Sequence, residues 1–581
     1  MVDPITLEVI NSRLREIVGT MEHLLFHSGY STILRESFDG SAGICDQTGA
    51  VVMAAGAPYH LMPYALSVRG IVANYPLETM QDGDSFVLTD PYSGGNLHVP
   101  DLVIVTPVFV EDRVLGFCVS IAHKTDLGGL VPGSSGAAAR EIFHDGLLLP
   151  GVRYWTRDGI VKEVEAIIKR NSRSPETVAG DIRAQVGCTK VGAQRIKDLC
   201  AEYGAETIEF AMAERLAATE RWTRRELARW ADGEAEAEGW VDNDGVDLDQ
   251  PVHVQVKVIK TGDTITVDFS NMNEQAKGPI NLRPQHAETA ALLALLSYLD
   301  PAIPINDGVR RPLQLINPEG RISNSRWPAP VNSYYGFTHV VYSTIQKALV
   351  QFNPKRAVGT AGFGVGAIAV GYRRSRTGRQ PIQYELMVTA LGATPEHDGT
   401  SPVMAMSHVT PSTPVEIIET EFPIRVRRFE WLPDSPGAGR YRGGPGYRKE
   451  YELQGDGLVT LRLGHQFKHA GWGVLGGKPP KTVSATLNPG LPTEHALKPL
   501  ETLDMHAGDS FRVDMSGGGG FGDPFTRPPE EVLEDVLNGY VSVEGAAHDY
   551  GVVIDPESRT VRPDETARLR SVPSPASVGE G

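Results

Sequence analysis

Cysteine is scarce: Cys45, Cys118, Cys188 and Cys200 are the only four, and no two form a C-x-x-C pair. That excludes a disulfide framework and a four-cysteine zinc site, and fits reduced thiols in a cytoplasmic protein. No apolar run approaches the roughly 20 residues needed to span a bilayer. Met1–Val2–Asp3–Pro4 leads into an amphipathic helix rather than a basic-then-apolar leader, so a cytoplasmic protein without a membrane partner is expected. Positive charge is also short. Lys and Arg number 55 against 72 Asp and Glu, a formal net charge of −17, which argues against general nucleic-acid or anionic-membrane binding. There is no G-x-x-x-x-G-K-[ST] phosphate loop, so nothing of that kind supports ATP binding by this chain, and no G-x-S-x-G nucleophile elbow. Gly517, Gly519 and Gly522 satisfy G-x-G-x-x-G in form. A dinucleotide fingerprint needs a helix to follow, and here Asp523–Pro524 follows among strand-like segments, so the match is rejected.

What is present reads as a soluble globular chain, 41% hydrophobic and 22% charged, and 581 residues are too many for one ordinary core. Residues 5–27 repeat apolar side chains at three and four and predict a helix, with Pro4 suited to its first turn. SAGICD-QTGAVVMAAG reads as a hairpin turning over Gln47–Gly49, and VHVQVKVIKTGDTITVDFS as another around Thr-Gly-Asp. Helices are expected around 175–232 with a turn at Tyr203–Gly204, over 285–299 and near 336–352. The sum is a large, multi-lobed α+β chain. Its expected parts are a mixed, metal-binding N-terminal part (1–232), a central helix-and-hairpin part (233–404) and a mainly β part (405–570). A Ser-, Pro- and Glu-rich tail (571–581) is expected to be disordered.

The most informative stretch runs from Asp90 to Gly133. Two apolar runs, 102–109 and 114–122, rich in β-branched and aromatic residues, flank the polar break VEDR and predict a β-hairpin. With a turn centred near residue 112, Asp101 falls opposite His123, where Cβ atoms lie about 5 Å apart. His98, three residues before Asp101, shares its loop. Two imidazoles and a carboxylate suit Zn²⁺ or Mn²⁺. The plain alternative, hydrogen-bonding residues at a strand end, stays open. So does the meaning of Gly94, Gly95, Gly128, Gly129 and Gly133, which either admit a ligand or serve turns. Asp39, in RESFDGS, reads on its own as a solvated turn carboxylate.

From Asp3 to about residue 570 the chain resembles the hydantoinase B/oxoprolinase family, which includes the metal-bearing subunits of N-methylhydantoinase-, caprolactamase- and acetone carboxylase-type enzymes. The resemblance rests on DPITLEVINSRL, RESFDGSAGICD, HLMP at His60, DPYSGGNLHVPDLVIVTPVF, AHKTDLGGLVPGS, EIFHDGLLLPG, PAPVNS, SPGAGRYRGGPGYR and SGGGGFGDPFTR, among other segments in the same order. It implies one divalent cation, zinc or manganese, held by Asp39, His98, Asp101 and His123. It also implies Asp126 and His60 as candidates for orienting groups or moving a proton, either of which is as readily an ordinary structural hydrogen-bonder. A partner subunit of the hydantoinase A type would bind ATP and phosphorylate the substrate oxygen, in a hetero-oligomer such as a dimer of heterodimers. The implied function is ATP-dependent opening of a hydantoin, lactam or 5-oxoproline-like ring; the alternative is the metal subunit of a ketone carboxylase, and a non-catalytic scaffold has no need of four retained ligands. Two departures stand out. GGNLHVPD is one residue longer before the histidine than GGTHLPD, and Lys124 replaces a histidine or aromatic, which is expected to alter the substrate pocket.

Overall fold

The computed structural model describes residues 2–571 except 57, 135, 363–365, 374–380, 404–405, 407–410 and 465. Helix α1 (Pro4–His27) starts at the proline, and the Asp3 carboxylate caps it by accepting from the Ile5 and Thr6 N–H groups. A short α2 (Thr32–Arg35) precedes strands β1 (Gly40–Asp46) and β2 (Val51–Gly56), which form the expected hairpin. Helix α3 (Leu61–Asn74) follows, then β3 (Ser85–Leu88), β4 (Asp101–Val110), β5 (Arg113–His123), β6 (Val152–Thr156) and β7 (Gly159–Ile160). These strands make one seven-stranded sheet in the order β2-β1-β5-β4-β3-β6-β7.

Both faces of this sheet are covered, which is why β4 and β5 read as near-continuous apolar runs. Val103, Val105, Val119 and Ile121 pack with Tyr64 and Val68 of α3. Leu102, Ile104, Cys118 and Ala122 point the other way. That second face meets α1 and α5 (Pro175–Tyr203), with the short α4 (Lys162–Asn171) beside α5. Gly204, at φ 85°, separates α5 from α6 (Ala205–Leu227) at the expected turn, and α6 ends before residue 232.

Strands β8 (Gly233–Val241), β9 (Val252–Thr261) and β10 (Thr264–Asp268) begin the central part. After α7 (Pro284–Tyr298) and α8 (Asp307–Arg310), β11 (Leu313–Ile316) completes a four-stranded sheet in the order β11-β10-β9-β8. Helix α9 (Tyr334–Leu349) packs on β8 and β9. One buried cluster runs from Tyr64 and Val103 through Val254 and Leu292 to Phe337, joining side chains from both sides of residue 232.

Beyond it lie β12 (Gly366–Tyr372), β13 (Ile382–Met387), α10 (Val415–Glu421), β14 (Ile424–Leu432), β15 (Gly446–Leu453) and β16 (Gly457–Arg462). Strands β17 (Ser484–Leu487), β18 (His495–Ala496), β19 (Leu500–Met505) and β20 (Ser510–Asp514) complete two sheets, β13-β12-β16-β19 and β14-β15-β20-β17-β18. The reading of 405–570 as mainly β needs one correction, because it closes with helices at Pro529–Leu537, Val543–Tyr550 and Pro563–Arg570. These are two-turn helices whose start signals, Pro528–Pro529 and the Ser542 cap, are short and easily read as loop. The boundary expected at 404/405 and all of the tail but Ser571 lie outside the described residues.

The Gly517–Gly520 run threads between other backbones: a Cβ on Gly518 would stand 2.0 Å from the Leu391 carbonyl oxygen. Its glycines serve close chain packing, and no helix of the dinucleotide kind follows. Among the described residues, no helix is long and apolar enough to cross a membrane.

Candidate metal centre

The hairpin β4–β5 turns over Glu111 and Asp112, both at positive φ (50° and 62°), so Val110 pairs with Arg113 across a two-residue loop. Continued unbroken, that register would set Asp101 against Ala122. A bulge at Val108/Phe109 shifts it by one residue and brings His123 opposite Asp101. On the other side of β5, Gly40 pairs with Ala122, and one step further the His123 N–H donates to the Asp39 carbonyl at 3.1 Å. Asp39, His123 and Asp101 therefore end three neighbouring strands in one row. Phe38, immediately before Asp39, is held at φ 52°, a strained setting for a bulky side chain.

His98 reaches the row from its loop, which Asn96 staples by donating to the Thr89 and His98 carbonyl oxygens at 2.9 and 2.7 Å. Its Nε2 is 3.2 Å from Asp101 Oδ1. One ligand atom each from His98, Asp101 and His123 lies within 4.8 Å of the others, and all three side chains are buried. Asp39 lines the same pocket but stands outside that cluster, with Oδ1 accepting from the Tyr59 hydroxyl at 3.1 Å.

The electrostatics fit a divalent cation. Burial, reinforced by His98, pushes His123 well below its ordinary value, so the ring is neutral and able to ligate. Both its ring nitrogens are buried with no hydrogen-bond partner among the described residues, a costly arrangement that a cation would relieve. Burial and the charge of Asp101 raise Asp39, against the Tyr59 hydrogen bond. Burial works to raise Asp101 as well, but the charge and hydrogen bond of His98 outweigh it and hold that carboxyl low. Two buried carboxylates so close cannot both ionise cheaply without a positive charge between them.

The cluster lines a pocket. One wall is a row across four strands, Leu386–Ala367–Arg462–Leu500 on β13, β12, β16 and β19. Tyr384, two residues before Leu386, adds its ring 4.3 Å from that of His123. The N-terminal end of α9 forms another wall with Asn332 to Tyr335, and the Tyr334 hydroxyl points at Asp101 Oδ2 at 3.4 Å. Tyr59, Asn332, Tyr334, Tyr384 and Arg462 carry no signature in a single sequence and entered no expected site; only PAPVNS, as a family segment, touched one of them.

The other expected residues lie elsewhere. His60 is fully buried one ring behind the wall, 4.2 Å from the Tyr59 ring, with Nδ1 on Ser41 Oγ, which also accepts from the Tyr64 hydroxyl. Asp126 is fully buried and has taken up the structural alternative: its carboxylate accepts from the Gly128, Gly133 and Arg173 N–H groups and from Arg173 Nη1 at 2.9 Å. The glycines likewise serve the chain itself, since Cβ atoms on Gly128 and Gly129 would strike the Asn171 and His144 carbonyl oxygens. Lys124 does not line the pocket. Just past the end of β5, it is fully buried and donates to the Ala122 carbonyl at 3.0 Å.

A sequence model of the family described as Hydantoinase B/oxoprolinase matches residues 3–524. The putative B subunit of a D-/L-hydantoinase from Pseudomonas sp. (strain NS671) is 30% identical, with 98% of each chain covered. The crystal structure of an ATP-dependent caprolactamase from Pseudomonas jessenii superposes with a TM-score of 0.89 at 26% identity, covering 98% of this chain and 100% of that one. A nucleotide-free acetone carboxylase structure shares the fold, with a TM-score of 0.89 at 19% identity over 98% of this chain and 82% of its own.

Proposed function

The chain belongs to the hydantoinase B/oxoprolinase family, and from that premise we propose that it is the metal-bearing hydrolytic subunit of an ATP-dependent enzyme that opens hydantoin, lactam or 5-oxoproline-like rings. The observation that carries the reading is the buried His98–Asp101–His123 cluster lining a pocket. Those three residues would hold one zinc or manganese ion, with Asp39 as the fourth ligand. Such an ion, when bound, lowers the pKa of a water to about 7 and polarises a carbonyl oxygen.

The chain's own side chains do the rest. Tyr334 and Tyr59 hold one oxygen each of Asp101 and Asp39, which limits how those carboxylates can turn. Ala367, Leu386 and Leu500 give the pocket an apolar wall that keeps bulk water from an activated ring, and the Tyr334, Tyr335 and Tyr384 rings offer flat surfaces to it. An amide is a poor electrophile. Phosphorylation of its oxygen makes the carbon attackable, and without a phosphate loop that step falls to an ATP-binding partner of the hydantoinase A type. After water adds, the ring nitrogen must leave with a proton, because loss of phosphate would only restore the amide; the acyl phosphate left behind then hydrolyses. His60 behind Tyr59 and Asp126 behind the 127–134 loop act through the residues they position. Four buried, unpaired cysteines support a reducing, cytoplasmic setting.

The full span of the caprolactamase chain, against 82% of the acetone carboxylase chain, favours the ring-opening branch. The test is elemental analysis of the purified chain followed by ATP turnover with a co-expressed partner. About one zinc or manganese per chain, lost in His123→Ala, together with lactam-dependent ATP hydrolysis, is expected. A folded chain that takes up no metal overturns the reading. ATP turnover that needs bicarbonate and a ketone replaces it with the carboxylase.

A further inference from the structure

Asn332 sits where three segments meet. Its side-chain Nδ2 donates to the Ser134 carbonyl, which can only accept. Its Oδ1 receives Nη1 of the buried Arg462 at 2.9 Å, and a guanidinium can only donate. The two contacts fix the amide independently and in the same sense: nitrogen toward Ser134, oxygen toward Arg462. That oxygen is also 3.0 Å from Nδ1 of His98, and the Asn332 backbone oxygen, which takes Arg462 Nη1 as well at 2.9 Å, is 3.3 Å away. Neither oxygen has a proton to give, so Nδ1 must be the donor.

We propose that Asn332, locked by Arg462 and Ser134, is a positioning residue that fixes His98 as the Nδ1–H tautomer and so presents Nε2 to the cation as a bare lone pair. The inference rests on the metal reading of the cluster. A neutral imidazole carries one ring proton. Without a cation Nε2 bonds to Asp101 Oδ1 at 3.2 Å; a cation that displaces the Nε2 proton leaves the one held at Nδ1, and Nε2 is then the ligand atom. His123 makes a contrast, since among the described residues neither of its nitrogens has a hydrogen-bond partner to choose its tautomer. The site thus has one histidine set in advance and one that settles when the cation arrives.

The lock extends outward. Ser134 ends the loop whose Gly133 N–H is held by Asp126, and Arg173 ties Asp126 to the Gly128, Gly129 and Val131 carbonyls. Asp126 is therefore two contacts from Asn332 and three from His98. Arg462 is braced from its far side by the Tyr384 hydroxyl.

The test measures Zn²⁺ affinity of the full chain against a competing chelator, with the melting curve of each metal-free variant as the check on folding. Asn332→Leu keeps the volume but removes the side-chain acceptor, leaving only the backbone oxygen at 3.3 Å, and affinity is expected to fall about 10-fold, the lower end of the usual cost of losing a group that orients a ligand. Asn332→Asp keeps an acceptor toward His98 and Arg462 and is expected to stay within a few-fold of wild type. Unchanged affinity in Asn332→Leu overturns the proposal, and so does equal loss in both variants when both melt as wild type does. If Asn332→Leu does not fold, Asn332→Ala decides: it removes the same side-chain acceptor, so a several-fold loss supports the proposal and no loss overturns it. A wild-type chain that binds no Zn²⁺ removes the metal reading and this inference with it, whereas wild-type binding with unchanged variants removes the inference alone.

Discussion

Charge in this protein is buried with uneven consequences from residue to residue. Asp145 is fully buried, accepts from the Val331 N–H at 3.2 Å through Oδ2, and leaves Oδ1 unpaired. Burial outweighs that hydrogen bond and pushes its carboxyl up to about 7. The unfolded chain loses this proton near pH 4, so between roughly pH 4 and 7 the folded state binds more protons and stability falls as pH rises. Asp145→Asn removes that slope. Its melting temperature should match wild type at pH 4 and exceed it at pH 8, the gain in stability being at most a few kcal/mol at about 1.4 kcal/mol per tenfold change in proton affinity; equal pH profiles would refute the assignment. Lys124 offers a simpler case. Burial drives its ammonium down to about 8 against the charges of Asp181, Asp101 and Asp39, and its Nζ donates to the Ala122 carbonyl without lining the pocket. Lys124→Met should therefore leave KM for the ring substrate within about twofold and cost little stability, since a buried charge gives way to an apolar chain of similar length. A large rise in KM would return Lys124 to the substrate wall.

At the scale of elements, what was legible follows from locality. The β4–β5 hairpin announced itself through two apolar runs around a polar turn, and Asp101 opposite His123 follows from counting, although the count lands only because a bulge at Val108/Phe109 cancels the two-residue loop. Asp39 could not be found that way. Its place beside His123 depends on β1 pairing with β5 across more than sixty intervening residues, a sheet order that no spacing reveals and that only the family resemblance anticipated. Asn332 and Arg462 are harder still, because each is an ordinary polar residue until two other elements arrive. The glycine-rich 127–134 loop was legible as a loop but not as a clamp. Asp126→Ala would strip its carboxylate from Arg173 and two loop N–H groups, at a cost of about 3 kcal/mol. Limited proteolysis should then cut within 127–134 faster than in wild type, and Zn²⁺ retention should weaken as Ser134 loosens from Asn332. Unaltered cleavage would show that the loop is held by other contacts.

Over the whole molecule, the candidate ligands come from the N-terminal part while most of the pocket around them does not. Ser333, Tyr334 and Tyr335 arrive with α9, and Tyr384, Leu386, Arg462 and Leu500 with the β13-β12-β16-β19 sheet. The reading of 1–232 as the metal-binding part thus covers the expected ligands but not the site. This arrangement ties cation binding to cohesion of the chain. A ligand that binds only the folded state stabilises it by RT ln(1 + [L]/Kd), about 4 kcal/mol at a thousandfold excess over Kd. That energy enters through His98, Asp101 and His123, but Asn332 shares it with Arg462, and Tyr334 with α9. Removing the cation with a chelator should therefore lower the melting temperature and raise hydrogen exchange in three separated places: the 98–123 hairpin end, the first turn of α9, and β13 with β16. Exchange that rises only within 98–123 would mean that the later segments merely cover the site. A joint rise, abolished by restoring Zn²⁺, would mean that they are part of what holds it, and that the metal centre doubles as the fastening between the N-terminal sheet and the rest of the chain.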